Sequence, residues 1–300
     1  MSCFLTSQTQ FSAVFREASE EDLAKACLPR RSSSRKGDNG VVLVVGGSWL
    51  YHGAPFLTSM AAMRTGVDLV YTAVPEKIAT AVRALSPSLI VVPLADAKLS
   101  SRSVDKVFRV ADNATAAALG PGLAKGCEKG LLKLLGHLIE SGIAVVLDAT
   151  ALFSDVLFQV SGKKCVLTPH AGEFRRLYGV DPGSSVEERV GKVLEASRTH
   201  KVVTLLKGPV DVVSDGVEAV VNRKPELAAA MTVGGTGDVL TGVVAGFLAK
   251  GVAEMNAAVA GVYANGLAGV AAAQKKGLHI TPEELIHEIP NVLKRYDRVF

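Results

Sequence analysis

From residue 41 onward, short β-branched runs alternate with longer stretches whose apolar residues recur every three to four positions. A strand buried on both faces reads as a continuous apolar run, so the alternation predicts a mainly parallel central sheet with helices on both faces. Strands are expected at 41–45, 69–73, 89–92, 116–119, 144–147, 165–167 and 202–206, with most helices between them. The runs 210–213 and 217–221, separated by Ser214-Asp215-Gly216, read as a β-hairpin with glycine in its turn.

Residues 1–39 differ in character. A short helix is predicted after Ser19, whose side chain can cap it, with Glu20, Glu21 and Asp22 near the positive end and Leu23 and Ala26 apolar. It stops before Pro29, and the polar stretch 32–39 reads as a flexible linker. Residues 1–39 are thus expected as a loosely attached helix and linker, and 40–300 as one domain.

Composition narrows the function classes. A chain of 300 residues, 48% hydrophobic and 21% charged, holds ample material for a core. The net charge of +4 is small, and its one cluster, Arg30, Arg31, Arg35 and Lys36, is interleaved with serines. That cluster reads as a solvated linker, and with only 5% aromatic residues no nucleic-acid partner is expected. The stretch 257–273 is interrupted by Gly261, Asn265, Gly266 and Gly269 and falls short of a span of about 20 residues, so a buried helix is expected and no membrane partner. Cys3, Cys27, Cys127 and Cys165 stand far apart, which points to neither zinc nor disulfides and to a reducing, cytoplasmic setting. The N-terminus lacks the pattern of a secretory signal.

The candidate chemistry centres on Thr232-Val233-Gly234-Gly235-Thr236-Gly237-Asp238, which leads into the apolar stretch 239–248. Glycines let the backbone aim several N–H groups at one point, and the following helix adds its positive end, so an anion such as phosphate fits there. A carboxylate placed next to that anion, Asp238, suits a general base that takes a proton from an attacking hydroxyl. A helix start with an ordinary first-turn acid is the alternative.

In doubly wound folds ligands sit outside the carboxyl ends of the strands, and the other polar groups fall there: Gly46-Gly47-Ser48, Gly120-Pro121-Gly122, Asp148, Thr168 to Glu173, and Lys207-Gly208. Each has a structural alternative: tight turns for the glycines, a helix cap for Asp148, a hydrogen-bonded structural histidine for His170. Lys207 can reach a nucleotide phosphate while the glycine turn cradles the one nearest the hydroxyl. Such chemistry calls for Mg2+, yet no dense carboxylate cluster stands out. Glu173 is the nearest candidate ligand, with a solvent-exposed first-turn acid as the equal alternative.

The series Lys36-Gly37-Asp38, Val44-Val45-Gly46-Gly47-Ser48, Gly53-Ala54-Pro55, Leu119-Gly120-Pro121-Gly122-Leu123, Asp148-Ala149, Leu167-Thr168-Pro169-His170-Ala171-Gly172-Glu173-Phe174, Leu206-Lys207-Gly208 and Gly234-Gly235-Thr236-Gly237-Asp238 resembles the NAD(P)H-hydrate dehydratase family of the ribokinase-like superfamily. The resemblance implies a repair enzyme that uses ADP or ATP to return the S epimer of hydrated NADH or NADPH to the normal cofactor. A phosphoryl group is placed on the ring hydroxyl and then leaves as phosphate. By position, it implies that Ala54, Gly122, His170 and Asp238 contact the hydrated dinucleotide. It implies nucleotide contacts at Lys207, Gly208, Pro209, Val210, Asp211 and Gly237, and an anion hole over Gly234, Gly235, Thr236 and Gly237.

The family often carries an epimerase domain in front, for which the stretch before Gly40 is too short, so a separate epimerase is the implied companion. Three positions depart from the family pattern: Thr150 in place of a second aspartate, Lys224-Pro225-Glu226 before the anion hole, and Ala171 after the histidine. A small-molecule kinase of the same superfamily is the alternative reading, and a non-catalytic nucleotide-binding protein a third. The small residues of the last helices also allow a homo-oligomer.

Overall fold

The alternation along the chain resolves into one ten-stranded sheet between two layers of helices. The computed structural model describes residues 15–300; Cys3 and the stretch read for a secretory signal lie outside the described residues, apart from the end of that stretch. The elements begin with β1 (Arg16–Glu17), α1 (Glu20–Ala26), β2 (Val41–Val45), α2 (Gly53–Arg64), β3 (Leu69–Pro75), α3 (Glu76–Leu85), β4 (Ile90–Leu94), α4 (Val104–Ala111), β5 (Ala116–Leu119) and α5 (Glu128–Glu140). They continue with β6 (Ala144–Leu147), α6 (Val156–Val160), β7 (Cys165–Leu167), α7 (Ala171–Tyr178), α8 (Val186–His200), β8 (Val203–Leu206), β9 (Val210–Ser214) and β10 (Ala219–Arg223). A 3-10 segment (Glu226–Thr232) then precedes α9 (Thr236–Ala249), α10 (Glu254–Lys276) and α11 (Pro282–Leu293).

Strand side chains alternate between the two layers, as a period of two demands. In β2, Val42 and Val44 join the core under α2, α9, α10 and α11, and Leu43 and Val45 join the core under α4, α5 and α6. The sheet order is β1-β10-β9-β8-β7-β6-β5-β2-β3-β4, with β2 to β8 parallel. The chain winds outward from β2 through β4 and then in the opposite direction from β5 to β8. The crevice at that reversal, between the carboxyl ends of β2 and β5, is where open α/β sheets take their ligands.

Helix α9 is apolar all round and buried from Val239 to Ala249. Gly242 and Gly246 sit on the face toward α2, where a Cβ on Gly242 would come within 2.8 Å of Ala61 Cβ and one on Gly246 within 2.9 Å of Thr65 Cβ. Two side chains the size of hydrogen thus seat α9 flush on α2 and fix where its N-terminus points.

Some elements differ from expectation. The second hairpin strand starts at Ala219, because Asp215 Oδ1 accepts hydrogen bonds from Val217 N (2.8 Å) and Glu218 N (3.0 Å) and draws both into the turn. β8 pairs antiparallel with β9, so the hairpin extends the sheet as a meander, and β1 adds an edge strand beside β10 that the sequence pattern does not show. Ser19 is the N-cap of α1 in a capping box with Asp22, whose Oδ2 accepts from Ser19 N (2.9 Å) and from its hydroxyl (3.0 Å).

Between α1 and β2 the chain is tied down. Leu23 and Ala26 are buried, Arg30 N donates to Arg298 O (2.9 Å), and Asp68 Oδ2 accepts from Gly37 N (2.9 Å) and Asn39 N (3.0 Å). No single helix among the described residues is long and apolar enough to cross a membrane.

Candidate active site

Lys207 follows β8 directly, and its Nζ reaches past β7 to lie 2.6 Å from Asp148 Oδ1 at the end of β6. The other carboxylate oxygen, Oδ2, accepts from Thr241 Oγ1 of α9 at 2.9 Å. Asp148 is therefore not a helix cap; it is buried and joins two strand ends to α9. Burial alone would lower the Lys207 pKa, but the carboxylates of Asp148 and Glu173 outweigh it and hold the lysine above its usual range as an ammonium.

Glu173 is buried, which sets aside the alternative of a solvent-exposed first-turn acid. Its Oε2 accepts from His170 N (2.9 Å) and lies 3.8 Å from Lys207 Nζ. In return His170 Nδ1 accepts from Gly172 N (3.0 Å) and Glu173 N (3.3 Å), which caps α7 from both directions. With Nδ1 accepting, the ring proton sits on Nε2, and the ring stays mostly exposed. His170 thus has a structural task, and its Nε2 lies 3.4 Å from Glu173 Oε1.

The glycine turn has the geometry its sequence suggests. Gly235 is the N-cap of α9 at φ +101°, a left-handed conformation that glycine adopts without a Cβ penalty. Thr236 Oγ1 turns back to donate to Met231 O (2.8 Å), so within the anion hole Thr236 offers its backbone only. A Cβ on Gly237 would lie 3.5 Å from Lys207 Nζ, which places the ammonium against the same turn that aims N–H groups outward.

Asp238, in the first turn of α9, accepts no hydrogen bond among the described residues. Its pKa is pushed from the ordinary 3.8 up to about 7, first by burial and then by repulsion from Asp148 and Glu173, with Lys207 pulling the other way. A carboxyl poised near neutrality beside an anion cradle is suited to proton transfer at physiological pH.

Beside this cluster lies a cavity of about 520 Å³. Lys207, Gly208, Thr236 and Gly237 give it a polar wall, and Ala228, Met231 and Leu240 an apolar one, with Pro209 also in the lining. Val210 and Asp211, expected as nucleotide contacts, are not part of that lining. Asp211 is buried, and its carboxylate accepts from Gly208 N (3.0 Å), Lys224 Nζ (2.8 Å) and Asn222 Nδ2 (3.1 Å). It shapes the Gly208 loop from behind. Lys224 also donates to Gly208 O at 2.8 Å, so the unusual Lys224-Pro225-Glu226 forms a strut along the cavity wall.

Ala54 and Gly122 meet at the β2/β5 crevice. A Cβ on Gly122, at φ +70°, would stand 2.9 Å from Ala54 Cβ and 2.6 Å from Tyr51 O. Thr150, in place of a second aspartate, donates to Leu123 O at 2.9 Å and so braces the loop that carries Gly122.

Mg2+ finds no protein cage: no group of three or more His, Cys, Asp or Glu among the described residues is placed to hold a metal. Asp148 and Glu173 are engaged with Lys207, Thr241 and the His170 N–H. Sequence reasoning also passed over Thr241. Its signal is slight: the one polar side chain in the apolar run 239–248, three residues after Asp238.

The family model described as NAD(P)H-hydrate dehydratase matches residues 42–291. An ADP-dependent (S)-NAD(P)H-hydrate dehydratase of Cenarchaeum symbiosum is 47% identical over 285 residues, covering 95% of this chain and 99% of that protein. The crystal structure of an ADP/ATP-dependent NAD(P)H-hydrate dehydratase from Bacillus subtilis, co-crystallised with ATP/Mg2+, is 26% identical with a TM-score of 0.79, over 94% of this chain and 99% of its own. A ribokinase-like superfamily protein from Enterococcus faecalis, 22% identical, shares the fold with a TM-score of 0.79 over 95% of this chain and 97% of its own. With the family model spanning most of the chain and a relative at 47% identity over nearly its full length, the chain belongs to the NAD(P)H-hydrate dehydratase family and has its ribokinase-like fold.

Proposed function

We propose that this chain uses ADP or ATP to dehydrate the S epimer of hydrated NADH or NADPH, a net carbon–oxygen lyase reaction on a kinase fold. The observation that carries the reading is the Asp238 carboxyl, with a pKa of about 7, one residue beyond the N–H groups of Gly235 to Gly237. Asp238 takes the proton of the ring hydroxyl as its oxygen bonds to the terminal phosphorus. The bond from phosphorus to the nucleotide breaks, and AMP leaves from ADP, or ADP from ATP. The carbon–oxygen bond of the ring then breaks, phosphate departs with the electron pair, and a proton lost from the neighbouring ring carbon leaves the restored double bond. Hydroxide is a poor leaving group near neutral pH and phosphate a good one, which is why phosphorylation makes dehydration feasible.

The nucleotide fits the cavity beside Lys207, Gly208 and Gly237, and the dinucleotide the crevice at Ala54, Gly122 and His170. Mg2+ would be held mainly by the phosphate oxygens of the nucleotide and water, since no group of three or more His, Cys, Asp or Glu among the described residues is placed to hold it. A site with one base and one phosphate cradle handles one epimer, so a separate epimerase activity must supply it from the other. We place the enzyme in the cytoplasm, in keeping with the buried free thiols of Cys27, Cys127 and Cys165.

Incubation with ADP or ATP, Mg2+ and hydrated NADH tests the proposal. Recovery of the near-ultraviolet absorbance of reduced nicotinamide is expected, with release of phosphate and of AMP from ADP or of ADP from ATP. A silent trace, with phosphorylation of some other alcohol, overturns it in favour of a small-molecule kinase.

A further inference from the structure

Asn265 of α10 stands out among the polar residues that the chemistry above leaves unused. It is only 5% exposed, and neither end of its amide has a hydrogen-bond partner among the described residues; Oδ1 is fully shielded from water and unpaired. A buried carbonyl-type oxygen without a donor costs about 1–3 kcal/mol, so such a group is retained when something else supplies the donor.

The same residue lines the cavity that holds Lys207 and Gly237, among Ala228, Met231 and Leu240. Asn222 Nδ2 of β10 donates to Val262 O (3.2 Å), one helical turn before Asn265, and to Asp211 Oδ2 (3.1 Å), so that amide's nitrogen is engaged while neither end of the Asn265 amide is. The cavity therefore combines an ammonium and backbone N–H groups for phosphate, an apolar wall for a flat ring, and in its lining an amide whose shielded oxygen has no partner.

We propose that Asn265 determines the base specificity of the nucleotide site: its Oδ1 accepts a hydrogen bond from the exocyclic amino group of adenine. The inference rests on the reading of this cavity as the nucleotide site. The oxygen and nitrogen ends of an amide are alike in size and shape, so the same side chain can turn Oδ1 toward the cavity, with the hydrogen bond from the ligand offsetting the cost. Adenine carries an amino group on its six-membered ring, where hypoxanthine and guanine carry a carbonyl oxygen that would face Oδ1 as a second acceptor.

Binding of ADP and of purine riboside diphosphate, which lacks only the amino group, is measured calorimetrically on the wild-type chain and on Asn265→Ala and Asn265→Leu. Wild type is expected to prefer ADP by about tenfold, and both variants to bind the two ligands within about twofold of each other. In turnover, Asn265→Ala should raise the KM for ADP by about tenfold with kcat unchanged, as for an interaction made equally in ground and transition states. Asn265→Leu should also raise the melting temperature of the free protein, because it removes an unpaired amide; a purely structural asparagine predicts the opposite.

An equal ADP preference in wild type and variants, or no preference in wild type, overturns the role of Asn265 and leaves the function standing. Failure of wild type to bind ADP at all removes both readings.

Discussion

Replacing Asp238 with asparagine separates its charge from its shape. Folding takes this carboxyl from an ordinary 3.8 to about 7, so the folded state resists its ionisation. Below the unfolded value both states are protonated and nothing is lost. As pH rises between the two values the unfolded chain releases the proton first, and stability falls at about 1.4 kcal/mol per pH unit. Above the folded value the loss is complete, roughly 4 kcal/mol over about three pH units, and water reaching the cleft trims it to roughly 2–3 kcal/mol. Asp238→Asn lifts this penalty. The variant should be more stable than wild type at about pH 8, by roughly 5 °C in melting temperature for a chain of this size, and nearly equal to it at about pH 4. Its turnover should fall by at least about 100-fold with little change in nucleotide affinity, as for a lost general base. In wild type, kcat/KM should rise with pH through about 7 as Asp238 of the free enzyme becomes able to accept a proton. Paired denaturation curves and pH–rate profiles measure both effects. A gain in stability that is the same at both pH values, or a matching loss of nucleotide affinity, would refute the assignment of Asp238 as a partly buried, charge-strained base.

Two further substitutions probe the surroundings of that carboxyl. Lys207→Met leaves Asp148 buried without its ammonium, so it should cost about 3–5 kcal/mol in chemical denaturation and, by removing the one attraction acting on Asp238, move the acid limb of the pH–rate profile above 7; an unmoved limb contradicts the coupling. Gly235→Val demands a left-handed backbone from a β-branched residue, and its Cβ would lie 2.7 Å from Pro282 Cγ and 2.8 Å from Leu57 Cδ1, so ADP binding by calorimetry should vanish; unchanged affinity would show that the turn does not depend on that geometry.

The sheet was legible because its strands are buried on both faces: Val41–Val45 and Ala144–Leu147 are continuous apolar runs whose ends need no tertiary information. β1 was not, since two exposed residues, Arg16 and Glu17, pair through backbone alone and carry no apolar signature. The hairpin was found but its second strand slipped by two residues, because the Asp215 side chain captures two backbone N–H groups that propensity would assign to a strand. At the site, the glycine turn and Asp238 are contiguous and could be read directly. The roles of Asp148, Glu173, Lys207 and Thr241 could not, because a carboxylate that reads locally as a helix cap is claimed by an ammonium 59 residues away and a hydroxyl 93 residues away.

That distant pairing also sets the chemistry of the nearby base. Asp148 and Glu173 bring two negative charges to the cluster and Lys207 one positive, so one uncompensated negative charge is present before Asp238 ionises. Ionising Asp238 would make it two in a partly dry cleft, which holds the carboxyl near neutrality instead of in the acid range. An incoming phosphate adds further negative charge, and its repulsion grows as the proton leaves the hydroxyl. The proton is therefore best held on Asp238 at the moment the new phosphorus–oxygen bond forms. The turn supplies the cradle, but the timing of proton transfer comes from four elements, the ends of β6 and β8 and the first turns of α7 and α9, meeting around one ammonium.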